Sequence, residues 1–222
     1  NLAFGAQVLS ANTTGNRNIA IGFRAYDGAD EENDNLAIGY NTLGGSIAGG
    51  EYNVAIGNNS LDAATSGDNN TATGYDALTG NTTGADNTAL GYDAGDVITT
   101  GSQNVIIGSG SDPSANSAAN QIVIGYGATG HGDNIAVIGN GSATAIHPHD
   151  DGEVDLGSSS YEFKDLYVDG VAYTDALGFG TVAMTLPTAD GSANQILKTD
   201  GSGALSWVTQ SSTVVTITDN ES

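Results

Sequence analysis

The side chains with the most obvious chemistry in this chain are three histidines, His131, His147 and His149, and no cysteine accompanies them. The run HPHDD, His147 to Asp151, is the one constellation of metal-ligand types. Three copies around a threefold axis would bring the imidazoles of His147 and His149 to a single ion, a donor set that suits a transition metal. The competing reading is an exposed connector with Pro148 at a turn. A second candidate is DGADEEND, Asp27 to Asp34. Its carboxylate and carbonyl oxygens are calcium ligands in type, yet the spacing fits no EF-hand loop, and a solvated insertion accounts for it equally well. A divalent cation is therefore the one cofactor left open, and the expectation is that none is required.

Catalysis has less support still. No nucleophile, base and orienting group can be assembled, and no Gly-x-Ser-x-Gly elbow occurs. The strings GSG (Gly108 to Gly110) and GYG (Gly125 to Gly127) lie in strand-like repeats with no following helix, so they read as turn glycines and not as phosphate cradles. The chain is expected not to be an enzyme.

Charge excludes further classes. Four basic residues stand against 26 acidic ones, a formal net charge of −22, and the acidity is spread along the whole length. Nucleic-acid binding needs a basic face that neutralises phosphates, and an anionic membrane repels such a chain. No apolar run approaches the ~20 residues of a membrane-spanning helix. The first residue already lies inside a repeat, from which a fragment of a longer chain is expected.

That repeat is the element that must position everything else. The words Asn, bulky, small, bulky, Gly begin at Asn1, Asn18, Asn35, Asn53, Asn70, Asn87 and Asn104, and Gln121 takes the asparagine place next; the steps are 17, 17, 18, 17, 17, 17 and 17 residues. An altered copy, NIAVIG, begins at Asn134. Such a fixed period marks a repeat architecture. Within each copy bulky and small residues alternate, as in Asn18, Ile19, Ala20, Ile21, Gly22, and a period of two marks a β-strand. A five-residue strand, a corner glycine, a second short strand (Tyr75 to Leu78 in the fifth copy) and a Thr-Thr-Gly turn make one coil of a parallel β-solenoid. With coils about 4.8 Å apart, eight steps span roughly 38 Å.

Roles follow from the alternation. Asn18, Asn35, Asn53, Asn70, Asn87 and Asn104 form a hydrogen-bonded ladder. The corners fall at Gly22, Gly39, Gly57, Gly74, Gly91 and Gly108, where positive φ or close backbone approach is needed. The core is expected to hold the bulky strand residues and a row of Leu9, Leu43, Leu61 and Leu78. The small face, Ala20, Ala37, Ala55, Ala72 and Ala89, is expected to line an interface between chains. Ile106 and Val123 break that small row, which predicts wider or repacked chains beyond residue 104.

The words NIAIG, NLAIG, NVAIG and NTALGYDA resemble the head repeats of trimeric autotransporter adhesins, which implies left-handed parallel β-rolls with three chains about one axis. The longer phrase GYDALTGNTTGADNTALGYDA is similar to repeats in tail-fibre proteins of tailed bacteriophages. VDLGSSSYEFKDLYVDG (Val154 to Gly170) and LPTADGSANQILKTDGSGALSWV (Leu186 to Val208) resemble segments that follow such repeats in phage fibres. The coil is longer than in the adhesin heads.

The expected molecule is all-β: a parallel β-solenoid or β-roll of about nine coils of about 17 residues, homotrimeric, over residues 1–142. A connector over 143–180 and a small β module over 181–222 follow, with strands at 195–200 and 204–209 joined by Gly201-Ser202-Gly203 and anchored by Trp207, the only tryptophan. The resemblance implies a structural segment of a viral tail fibre or appendage for host attachment, on a virion or an extracellular surface. Its partners would be itself and a host cell-surface glycan or protein receptor, without nucleic acid or membrane insertion. The alternatives are a bacterial trimeric autotransporter adhesin and a self-assembling extracellular filament in which Thr213 to Thr218 adds as a strand to the next subunit.

Overall fold

The computed structural model describes residues 1–28, 31–45, 49–143, 145–146, 156, 158, 160–165, 167–168, 176–179, 182–185, 187, 191–202 and 204–209. Among these residues the protein is all-β, without a helix. It divides into two units, Asn1–His147 and Pro148–Ser222.

The first unit is a parallel β-solenoid. Its strands are β1 (Leu2–Phe4), β2 (Ile19–Ile21), β3 (Leu36–Ile38), β4 (Val54–Ile56), β5 (Thr71–Thr73), β6 (Thr88–Leu90), β7 (Val105–Ile107), β8 (Ile122–Ile124) and β9 (Ala136–Ile138). They form one nine-stranded sheet in chain order, each paired in parallel with the next. The register keeps like on like: Ala20, Ala37, Ala55, Ala72 and Ala89 are successive partners.

Each coil contains one strand of three residues, not two strands. The run Tyr75 to Leu78 is turn, and its stacking comes from single backbone bonds, such as Leu61 N–H to Ala77 O (3.1 Å) and Leu78 N–H to Ala94 O (3.0 Å). The reason is conformational. Asn59, Leu61 and Asn69 all have left-handed φ, between 50° and 58°, and the same columns repeat at Asp76, Leu78 and Asp86. Left-handed residues turn the chain too tightly for an extended ladder. Asparagine and aspartate tolerate that region best, so these columns are a signal that a search for glycine alone does not find.

The core inverts the arrangement expected from the sequence. The central residue of each strand points into its own coil: Ala20, Ala55, Ala72 and Ala89 are fully buried and Ala37 is 1% exposed. The flanking bulky residues point outward, with Ile19 39% and Leu90 50% exposed. The alanines therefore do not line an interchain face. Two constraints fix this parity. A short coil with three left-handed turns brings the strand close to the return segment, where Leu43, Leu61 and Leu78 are fully buried, so an alanine row is what fits opposite. The asparagines must also turn inward to reach buried carbonyls, and the alanine two places on shares their face.

Ile106 and Val123 likewise point into their own coils, each fully buried, so they give no ground for a change in chain spacing. Their bulk replaces bulk lost on the return side. Gly95 stands in the column of Leu61 and Leu78, and a Cβ there would lie 3.7 Å from Ile106 Cγ1 and 3.4 Å from Ile98 Cδ1. The ninth copy also reads differently in three dimensions: Ile135, not Asn134, takes the ladder place, and Val137 pairs with Val123.

In the second unit, β10 (Ala176–Phe179) and β11 (Val182–Thr185) form an antiparallel hairpin. It straddles residue 180, so the expected boundary there falls between paired strands. The strands β12 (Gln195–Thr199) and β13 (Leu205–Thr209) form a second antiparallel pair. Asp200 closes its turn: its carboxylate accepts from the Ser202 N–H (2.8 Å), Ser202 Oγ (2.6 Å) and the Ala204 N–H (3.1 Å). Trp207 is half-buried and packs against Gly191, where a Cβ would meet the indole.

Candidate functional site

The best-built constellation is the asparagine ladder. Each Oδ1 accepts the backbone N–H of the next asparagine: Asn35 to Asn18 at 2.9 Å, Asn53 to Asn35 at 2.8 Å, Asn70 to Asn53 at 2.9 Å, Asn87 to Asn70 at 3.0 Å and Asn104 to Asn87 at 3.1 Å. Each Nδ2 donates to a corner carbonyl late in the same coil, among them Gly50 (3.0 Å), Gly67 (2.9 Å), Gly84 (2.9 Å) and Gly101 (2.8 Å). The side chains are at most 2% exposed. A buried amide satisfied on both sides fixes register and locks corner to strand. The ladder ends at Gln121, whose longer side chain turns to Ser114 and Asp133 instead.

The corner glycines carry the second constraint. Gly74 has φ of 145°, and a Cβ there would run into the carbonyl of Gly91. The same relation links Gly22 to Gly39, Gly57 to Gly74 and Gly108 to Gly125, with Gly39 and Gly91 each facing the next glycine carbonyl at 2.6 Å. These corners are structural, and they hold the neighbouring strand face in a regular array.

Among the described residues, that strand face carries a row of exposed apolar side chains. Its outward residues include Leu2, Phe4, Ile19, Ile56, Leu90, Ile122, Ile124 and Ile138, each between 36% and 74% exposed. The strip is two side chains wide, roughly 38 Å long at about 4.8 Å per coil, and interrupted by hydroxyls only at Thr71, Thr73 and Thr88. Thr71 and Thr73 fill both outward places of the fifth coil, so the apolar strip falls into a stretch before that coil and one after it.

The acidic run Asp27 to Asp34 uses its described carboxylates locally. Arg17 grips Asp34 through two bonds of 2.6 Å, and Arg24 Nε meets Asp27 Oδ2 at 2.8 Å. The buried Glu32 accepts the N–H of Glu31 (3.1 Å) and of Gly49 (2.8 Å). Residues 29 and 30 lie outside the described residues. A longer acidic edge runs down later coils. Burial pushes Asp62 up, with Asp27 and Asp76 adding repulsion. Burial pushes Asp112 up to about 6, reinforced by the charge of Asp96. Among the described residues no three His, Asp or Glu side chains converge to hold a metal ion. His147 and His149 lie outside the described residues; His131 is exposed near the ninth coil.

Tyr26 takes the leucine place of the second coil. Its buried hydroxyl accepts from Asn35 Nδ2 at 2.6 Å, and burial holds its pKa well above the usual range. No known protein family, curated protein or solved structure matches the chain. None of the described residues forms a helix long and apolar enough to cross a membrane.

Proposed function

We propose that the chain is a structural segment of a homotrimeric fibre or appendage, carried on a virion or cell surface and serving attachment to a host. The observation that carries this reading is the outward row of bulky strand residues, from Leu2 and Phe4 to Ile138, which a single chain leaves in water. A coil whose inner row is alanine buries little apolar area, and burial is the dominant favourable term in folding. Three copies that bring these strips together about a common axis gain the missing core. The ladder and corners then transmit length and stiffness, while the acidic outer surface keeps fibres apart. No reaction is assigned to the segment.

The absence of cysteine makes a direct test available. Ile56→Cys places a thiol on the outward strip and Ala55→Cys places one in the coil. Under mild oxidation the Ile56→Cys protein is expected to give covalent dimers within the trimer, and the Ala55→Cys protein is expected to stay monomeric on a denaturing gel. Cross-linking of Ala55→Cys alone would move the interface back to the alanine face.

A further inference from the structure

The column that follows the corner glycines reads Ala6, Phe23, Tyr40, Asn58, Tyr75, Tyr92, Ser109, Tyr126 and Asn140. Aromatic residues occupy five of these nine places, as the pairs Phe23/Tyr40 and Tyr75/Tyr92 and the single Tyr126, with Asn58 and Ser109 between them and Asn140 after the last. Within each pair the rings stack. Phe23 and Tyr40 have centroids 5.9 Å apart at 11°, and Tyr75 and Tyr92 are 5.5 Å apart at 9°. Near-parallel rings in successive coils have their faces turned along the solenoid axis, so the outer faces of each pair look into the interruptions. Tyr40 and Tyr75 thus flank Asn58, and Tyr92 turns its outer face to Ser109, with Tyr126 in the same column one coil beyond. All four tyrosines are exposed, from 46% for Tyr75 to 77% for Tyr126.

We infer that these two interruptions are binding sites for the rings of a neutral pyranose oligosaccharide. The spacing selects the class. Ring centroids in this column step by 5.5 to 5.9 Å per coil, so two coil steps separate the flanking rings by about 11–12 Å. A flat aromatic guest between two carbon contacts of about 3.5–4.0 Å would fill only roughly 7–8 Å. A puckered saturated ring, which presents C–H groups to both faces, takes up more of that gap. The floor and rim supply polar partners. Asn58 is exposed, its Oδ1 taking the Tyr40 N–H (2.8 Å), which orients the side-chain amide at the floor. Beside it Asn59 Nδ2 donates to Asp76 Oδ1 (2.9 Å), and the second site has Asp93 adjoining Tyr92. Carboxylates accept from sugar hydroxyls. Together with the net charge of −22 they exclude sulfated or uronic chains. The sites lie three coils apart, about 14 Å, close enough for one oligosaccharide to engage both, which raises avidity.

This deepens the attachment reading above and rests on it for its biological purpose, while the binding itself is tested separately. Maltotetraose, cellotetraose and chitotetraose would be titrated to 10 mM against the intact protein, with a chondroitin sulfate tetrasaccharide as the anionic control, and read by ligand-observed saturation transfer. Asn58→Tyr and Ser109→Tyr fill the interruptions with the residue that neighbouring coils already carry in this column. At least one neutral tetraose is expected to bind, each single variant to weaken it, and the double variant to weaken it at least tenfold at unchanged solution mass. The inference is overturned if none of the three neutral sugars binds, if the double variant binds like the parent, or if Tyr75→Ala changes the mass, which would make the aromatic row a contact between chains. A failure of this kind leaves the fibre reading standing, and a monomeric parent that binds sugar does the reverse.

Discussion

Asn70 shows what one residue of the ladder contributes. Its Oδ1 takes the Asn87 N–H and its Nδ2 reaches the Gly84 carbonyl, both in the buried interior. Asn70→Ala leaves those groups without these partners, at about 1–3 kcal/mol for each one left unsatisfied, so a loss of about 2–6 kcal/mol is expected in denaturant unfolding. Asn70→Asp keeps the acceptor but removes the donor and buries a charge, so it should cost at least as much at pH 7 and recover partly in acid. Asp112 gives the native chain a pH response of the same sign. Its folded pKa is raised from 3.8 to about 6 by burial and by Asp96. Below about pH 4 the group is protonated in both folded and unfolded chains and has no effect; as pH rises to 6 the folded state holds the proton longer, so stability falls. Asp112→Asn is therefore expected to stabilise the protein at pH 7 by on the order of 1 kcal/mol, a figure reduced for the solvent screening of a half-exposed group, and to leave it unchanged at pH 3.5. Thermal melts at the two values check the sign.

Among the elements, the coil was legible in the sequence and its inside was not. The 17-residue step, the alternation and the glycine after every strand place β1 to β8, and the register puts each repeat on the next. Alternation defines two faces without saying which is inner, and hydrophobic bulk argues for the wrong one. The asparagine was the informative residue: a polar group at a fixed place in every coil needs fixed partners, and those lie inside. The second strand failed for another reason, since the left-handed columns at Asn59, Leu61 and Asn69 are written in ordinary residues. Gly95 and Ile106 also act together, small on the return side and large on the strand. Gly95→Leu fits the left-handed φ that Leu78 already adopts, but its Cβ would come within 3.0 Å of Leu78 Cδ2 and the rest of the side chain would compete with Ile98 and Ile106 for space, and a cost of about 1–3 kcal/mol is expected. Ile106→Ala alone should cost about 2–5 kcal/mol. The double variant should recover part of the loss, a coupling measurable in a double-mutant cycle.

At the scale of the whole molecule, inversion of the core changes where chains should meet. With the alanines inside, the free face is the bulky one, and the thin coil that motivated a trimer is thinner still. On the proposed trimeric reading stability is drawn from association, so the unfolding midpoint is expected to rise with protein concentration. The most direct measurement is the mass of the purified chain in solution, by native mass spectrometry or light scattering across a hundredfold range of concentration. A discrete species of three 22.2 kDa chains is expected, lost when Ile56 and Leu90 are replaced by Asp. A folded, stable monomer with the outward strip in water would contradict it.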